Sequence, residues 1–173
     1  MPFSMSQASL PTFEINLTAL SGVLDKAEAY AAAKKIDPAV LLNLRLFPNM
    51  FTLTRQVQVA SDHAKNGSAR LAGIDPPRYE DNETTIEQLK ARIAKTVAFL
   101  KTIDRAQIDA SADREVTFPI GPAKGRMTGA DYLNHFVLPN FYFHCTAAYA
   151  ILRHIGLDIG KRDFMGGIPI NVS

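Results

Sequence analysis

Four stretches of this chain repeat apolar residues at spacings of three and four, and only one short stretch alternates. A chain with that pattern must bury four helical stripes against one another, which predicts a bundle and leaves no room for a founding sheet. In the first stretch, about Ser4 to Lys35, the stripe is Leu10, Phe13, Leu17, Leu20, Leu24, Ala27 and Ala31. Pro11 lies inside it, so the helix either begins near Ser9 or bends in its first turns. Asp37 as cap and Pro38 at the first helical position predict a short extra helix before Pro48 breaks the chain.

The second long helix is expected from about Asn49 to Leu71, with Met50, Leu53, Val57, Ala60, Ala64 and Leu71 on one face and Gly73 as its left-handed stop. Thr84 and Glu87 have capping-box spacing for a third helix, which ends near Ile103. Its stripe, Ile86, Leu89, Ile93, Val97 and Leu100, reads as purely aliphatic. "REVTFPIGPAKGRMT" reads as a small hairpin or an irregular excursion. A fourth helix follows from Thr128 to about His154, bent at Pro139 and stopped by Gly156, and the tail "GLDIGKRDFMGGIPINVS" is expected to pack as an extended arm. The reading is an all-α, single four-helix-bundle domain over residues 1–173, with a short extra helix and the small excursion before the last long helix.

Charge narrows the partners. Lys and Arg exceed Asp and Glu by two, and the densest basic spots are Lys34-Lys35 and Lys161-Arg162, so no stripe follows phosphates and nucleic acid is not an expected partner. "MPFSMSQASLPTFEINL" has no basic leader and no unbroken apolar run, and no stretch has the length to cross a bilayer; neither a signal peptide nor a membrane partner is expected. The single cysteine, Cys145, cannot pair internally and fits the reducing cytoplasm.

Chemistry concentrates on the fourth helix. At 100° per residue on a straight helix, Leu133, Val137, Asn140, Phe141, His144, Ala147, Ala148, Ile151 and Ile155 share one face. Asn140 and His144, four apart, then point together into the bundle and need partners, because an unpaired buried polar group costs about 1–3 kcal/mol. On the second long helix Gln56 is the inward candidate, His63 flanks the stripe seven residues on, and Arg55 faces away. Gln56, Asn140 and His144 form the candidate binding pocket. His135 is read as paired with Asp131. Cys145 diverges from His144 by about 100°, so the two do not form a nucleophile and base. Phe136, Phe141, Tyr142, Phe143 and Tyr149 encircle the helix, which implies a second apolar surface covered by a partner.

At "FTLTRQVQ", "DYLNHFVLPNFYFH" and "ILRHIG" the chain resembles an uncharacterised bacterial family of domains of unknown function, grouped with the DinB/YfiT-like helical bundles. The resemblance runs from "QASLPTF" to "GKRDF". It implies a four-helix bundle, commonly a homodimer, in which three histidines hold a divalent transition metal such as Zn or Ni. One of those ligands lies on the second long helix, and two spaced by four lie on the fourth. His144, nine residues before Arg153, matches one of them. Asn140 stands where the other would be, and the second-helix place falls to Gln56, with His63 as the alternative. A neutral amide is a poor ligand for such metals, so the implied site is degenerate. The functional expectation is a dimeric bundle that binds a small molecule or another protein. The alternative is a metal-dependent enzyme of hydrolase or thiol-transferase type using His144.

Overall fold

The computed structural model describes residues 4–170. Helix α1 spans Met5–Lys34 and is continuous through Pro11. A capping box fixes its start at Ser4 and not near Ser9: Ser4 Oγ accepts from the Gln7 N–H, and Gln7 Oε1 accepts from the Ser4 N–H. Asp37 caps the short α2, Pro38–Leu42, as its sequence indicates. The second long helix, α3, runs Leu53–Ala72 and begins later than its apolar spacing suggests. Residues 47–50 close a turn in which the Met50 N–H donates to Phe47 O, and Thr52 becomes the cap. Gly73 ends α3 in the left-handed conformation, φ 74°.

Helix α4 spans Ile86–Lys101, and its capping box is Thr85 with Gln88, one residue beyond the expected Thr84 and Glu87. "TTIEQ" satisfies the pattern in both registers. The Gln88 amide prevails because its Oε1 accepts from the N–H groups of both Thr84 and Thr85. A short α5, Arg105–Asp109, follows, capped by Asp104. The excursion is a hairpin of β1, Glu115–Ile120, and β2, Ala123–Thr128, paired antiparallel from Glu115 opposite Thr128 to Ile120 opposite Ala123. The protein is therefore mostly helical with one two-stranded sheet, and a strict all-α label is too narrow.

After the hairpin come α6, Gly129–Asp131, a π-helical turn, Tyr132–Val137, and α7, Leu138–His154. The irregularity expected at Pro139 sits upstream of it. Pro139 has no N–H for the His135 carbonyl, and the Leu138 N–H donates five residues back, to Leu133 O. The tail is not wholly extended: Lys161–Met165 forms α8 against α1, where Asp163 pairs with Lys26 at 2.6 Å. Residues 171–173 of the expected arm lie outside the described residues.

The four long helices close a ring in the order α1, α4, α3, α7. Phe13, Leu17 and Leu24 of α1, Val57 and Ala60 of α3, Leu89 of α4 and Phe141 of α7 fill it. Phe13 and Phe141 meet edge to face at 4.8 Å.

The inner face of α4 is not purely aliphatic. It buries Arg92, 4% exposed, together with Thr96. Arg92 is tolerated because its two Nη atoms reach Asp62 at 2.9 Å, Asp81 at 3.0 Å, Glu83 at 2.9 Å and the Glu80 carbonyl at 3.1 Å. Burial works against its charge, but Glu83, Asp62 and Asp81 outweigh that and hold its pKa above the ordinary value. Lys65 secures the same loop through Pro77 O at 2.7 Å, with its ammonium 4.0 Å from the Tyr79 ring centre. Segment 74–85 is thus pinned to α3 and α4 by charges whose solvation is replaced by partners.

Arg92→Met should therefore lower the free energy of unfolding in urea by about 3 kcal/mol, because it takes the cationic partner from the mostly buried Glu83 carboxylate, whereas Asp62 keeps Lys65 and Asp81 keeps Arg55. Arg126→Gln, which breaks only the exposed pair with Glu115, should change it little.

Candidate functional site

Helices α3 and α7 pack closely enough to bring three of the candidate side chains together. Small residues allow this: Ala60 and Gly67 are buried along α3. At Gly67 an added Cβ would lie 2.5 Å from a methyl of Val137 in the π-helical turn, so only glycine admits this approach. The longer polar side chains of α3 occupy the edge of the seam.

Gln56 is 1% exposed and His144 7% exposed, and Gln56 Oε1 lies 2.6 Å from His144 Nδ1. Gln56 Nε2 donates to the Phe51 carbonyl at 3.4 Å, which turns the amide oxygen toward the ring. A carbonyl oxygen only accepts, so His144 carries its proton on Nδ1 and, when neutral, presents a lone pair on Nε2. The His63 ring lies nearly parallel to that of His144, 11° between planes, with centroids 5.8 Å apart. Phe51 and Phe143 flank the same imidazole at 6.1 and 5.2 Å. Both are largely exposed, at 48% and 57%.

Asn140 takes no part. It is half-buried, and its Nδ2 donates to the Phe136 carbonyl at 2.7 Å, four residues back on its own helix. Asn140 and His144 lie four residues apart in the same regular helix, but the Asn140 side chain turns back along α7 to Phe136 O instead of across to the imidazole. His135 is exposed, 3.8 Å from Asp131. Phe51 lies outside the helical stripe from which the sequence reading drew its candidates. Arg55, read as facing away, holds its guanidinium 5.8 Å from the Phe51 ring centre, close enough to act on His144.

Both imidazoles are neutral at neutral pH. Burial, then the positive field of Arg55, lowers His144 to about 4. Burial, His144 and Arg70 lower His63 to about 4. Cys145 is buried, which pushes its thiol up to about 12 and leaves no thiolate for chemistry.

The donor set does not fit the three-imidazole centre that the family resemblance implies. Two imidazoles are present, the Gln56 oxygen is engaged by His144, and the Asn140 amide is tied to its own helix. Among the described residues no group of three His, Cys, Asp or Glu side chains could hold a metal ion. What these residues offer is two neutral imidazoles beside the exposed rings of Phe51 and Phe143. No described helix is long and apolar enough to cross a membrane.

A family model described as a domain of unknown function, DUF1993, matches residues 5–165. Among solved structures the chain is similar to the crystal structure of a DinB family member protein from Shewanella denitrificans, at 38% identity and a TM-score of 0.91. That similarity covers 98% of this chain and 96% of the other. No curated protein matches.

The two depressed histidines predict acid sensitivity of a definite sign. Between their ordinary value of 6.5 and about 4 the unfolded chain binds more protons than the folded one, so stability is lost as pH falls through that window. Urea unfolding should lose on the order of 1 kcal/mol or more between about pH 7 and about pH 5, above the carboxylate range. In a His63→Gln/His144→Gln variant that slope should flatten.

Proposed function

The chain belongs to the DUF1993 family, among the DinB-like helical bundles, and from that premise we propose that it is a homodimeric small-molecule-binding protein of the cytoplasm, built on a degenerate metal site. The observation that carries this reading is the Gln56 to His144 hydrogen bond. It fixes one buried imidazole as a neutral acceptor between two exposed aromatic rings, an arrangement that recognises a hydrogen-bond donor carried on an apolar body. The lone buried thiol suits a reducing compartment.

The dimer rests on surface chemistry. Phe47, Phe51, Tyr142 and Phe143 are all exposed, and Phe51 and Phe143 converge on one imidazole. Apolar rings gathered at the mouth of a site are covered in solution more often than left wet.

One observation favours the second reading, a metal-dependent enzyme of hydrolase or thiol-transferase type using His144. A carbonyl behind Nδ1 is also how metal-binding imidazoles are commonly oriented.

One preparation separates the two readings. Untagged protein purified from metal-replete cells should show a small organic adduct in native mass spectrometry that is lost in Gln56→Ala and His144→Ala. A transition metal at one per chain, lost in His144→Ala, would establish the enzyme reading instead. In sedimentation at micromolar concentration the protein should run as a dimer, and Phe143→Glu should shift it to monomer.

A further inference from the structure

A separate hollow lies beside His63, walled by α3, the π-helical turn and the hairpin. Its volume is about 170 Å³, and His63, Asn66, Arg70, Pro119, Tyr132 and Phe136 line it. At about 30 Å³ per water molecule in the liquid, that is room for about five waters, or for a ligand of a few heavy atoms. The π-helical turn makes this wall. It carries Tyr132 and Phe136 over the hollow with near-parallel rings, 15° between planes and 5.7 Å apart.

The polar groups converge with one charge to spare. Arg70 has no carboxylate within ion-pair distance among the described residues. Its Nη1 donates to the Tyr132 hydroxyl at 3.1 Å, so that oxygen accepts and its own proton remains free to donate. The Asn66 side chain, half-buried, has no hydrogen-bond partner among the described residues. Asp62 also borders the hollow, but its carboxylate is matched by Arg92 at 2.9 Å and Lys65 at 3.3 Å. Pro119 and Phe136 supply the apolar remainder.

We propose that this hollow binds a small monocarboxylate with a short apolar tail, its carboxylate held by Arg70, the Tyr132 hydroxyl and the Asn66 amide. A guanidinium fork and a phenol proton match the two oxygens of a carboxylate. One uncompensated cation balances one negative charge. A phosphate dianion would carry a second charge toward Asp62, and an uncharged amide would leave Arg70 unpaired. This site goes beyond the His144 reading and shares only His63 with it.

Isothermal titration with propionate and with benzoate tests the assignment, with propionamide and inorganic phosphate as comparators. At least one carboxylate should bind saturably at about 10 mM or below, and propionamide and phosphate should bind about tenfold more weakly or worse. Arg70→Gln should weaken carboxylate binding by about tenfold or more, and Tyr132→Phe by a smaller factor. Circular dichroism establishes that the variants fold; if Arg70→Gln does not, Tyr132→Phe decides alone. The proposal is overturned by no saturable binding of either carboxylate, by phosphate binding more tightly than both, or by folded variants that bind as the parent does.

Discussion

A single missing N–H organises the functional half of this molecule. Pro139 cannot donate to the carbonyl of His135, and the chain answers upstream with a π-helical turn over Tyr132–Val137. The turn rotates the residues before it relative to those after it. On one side Tyr132 and Phe136 swing over α3 and wall the hollow beside Arg70. On the other, Phe141 enters the core and His144 meets Gln56, while the Asn140 amide caps the disturbed backbone at Phe136 O.

The seam between α3 and α7 divides its tasks by side-chain size. Its floor includes Ala60 and Gly67, small enough for the backbones to approach. Its edge is Gln56, His63 and Arg70, seven residues apart in succession, which on a 3.6-residue helix brings them within about 40° of one direction. Arg55 acts on His144 from one end of this row and Arg70 on His63 from the other. Two imidazoles held between two guanidinium groups, and partly dry, stay neutral. Acid must therefore force protons into a region that already repels them, which opposes the usual role of histidine as a cation at neutral to acidic pH.

The parts of the fold that obey a straight-helix period were legible in the residues. The stripe of α1 contributes Phe13, Leu17, Leu24, Ala27 and Ala31 to the core, and Gly73 stops α3 where its permissive φ is needed. Gln56 could be read as inward because it lies beside the apolar stripe. Features set by tertiary partners could not. Arg92 breaks an aliphatic pattern and is buried only because Asp62, Asp81 and Glu83 arrive from α3 and a loop. The choice between Thr84 and Thr85 as cap turns on which side chain reaches two backbone donors, a detail that two overlapping motifs conceal. The signal for Arg70 lies in the residues, because the spacing of seven from Gln56 to His63 continues to it.

The departure from a three-imidazole centre is informative in its own terms. An amide that replaces a ligand need not leave a hole, because the remaining imidazole still needs a partner for its ring N–H, and Gln56 supplies one at 2.6 Å. An unpaired buried N–H would cost about 1–3 kcal/mol, so the hydrogen bond stabilises the fold whether or not anything binds at Nε2. Structural need therefore accounts for the orientation of His144 but not for what surrounds it. Phe51 and Phe143 stand exposed against the same imidazole, and burial within the chain does not account for that placement.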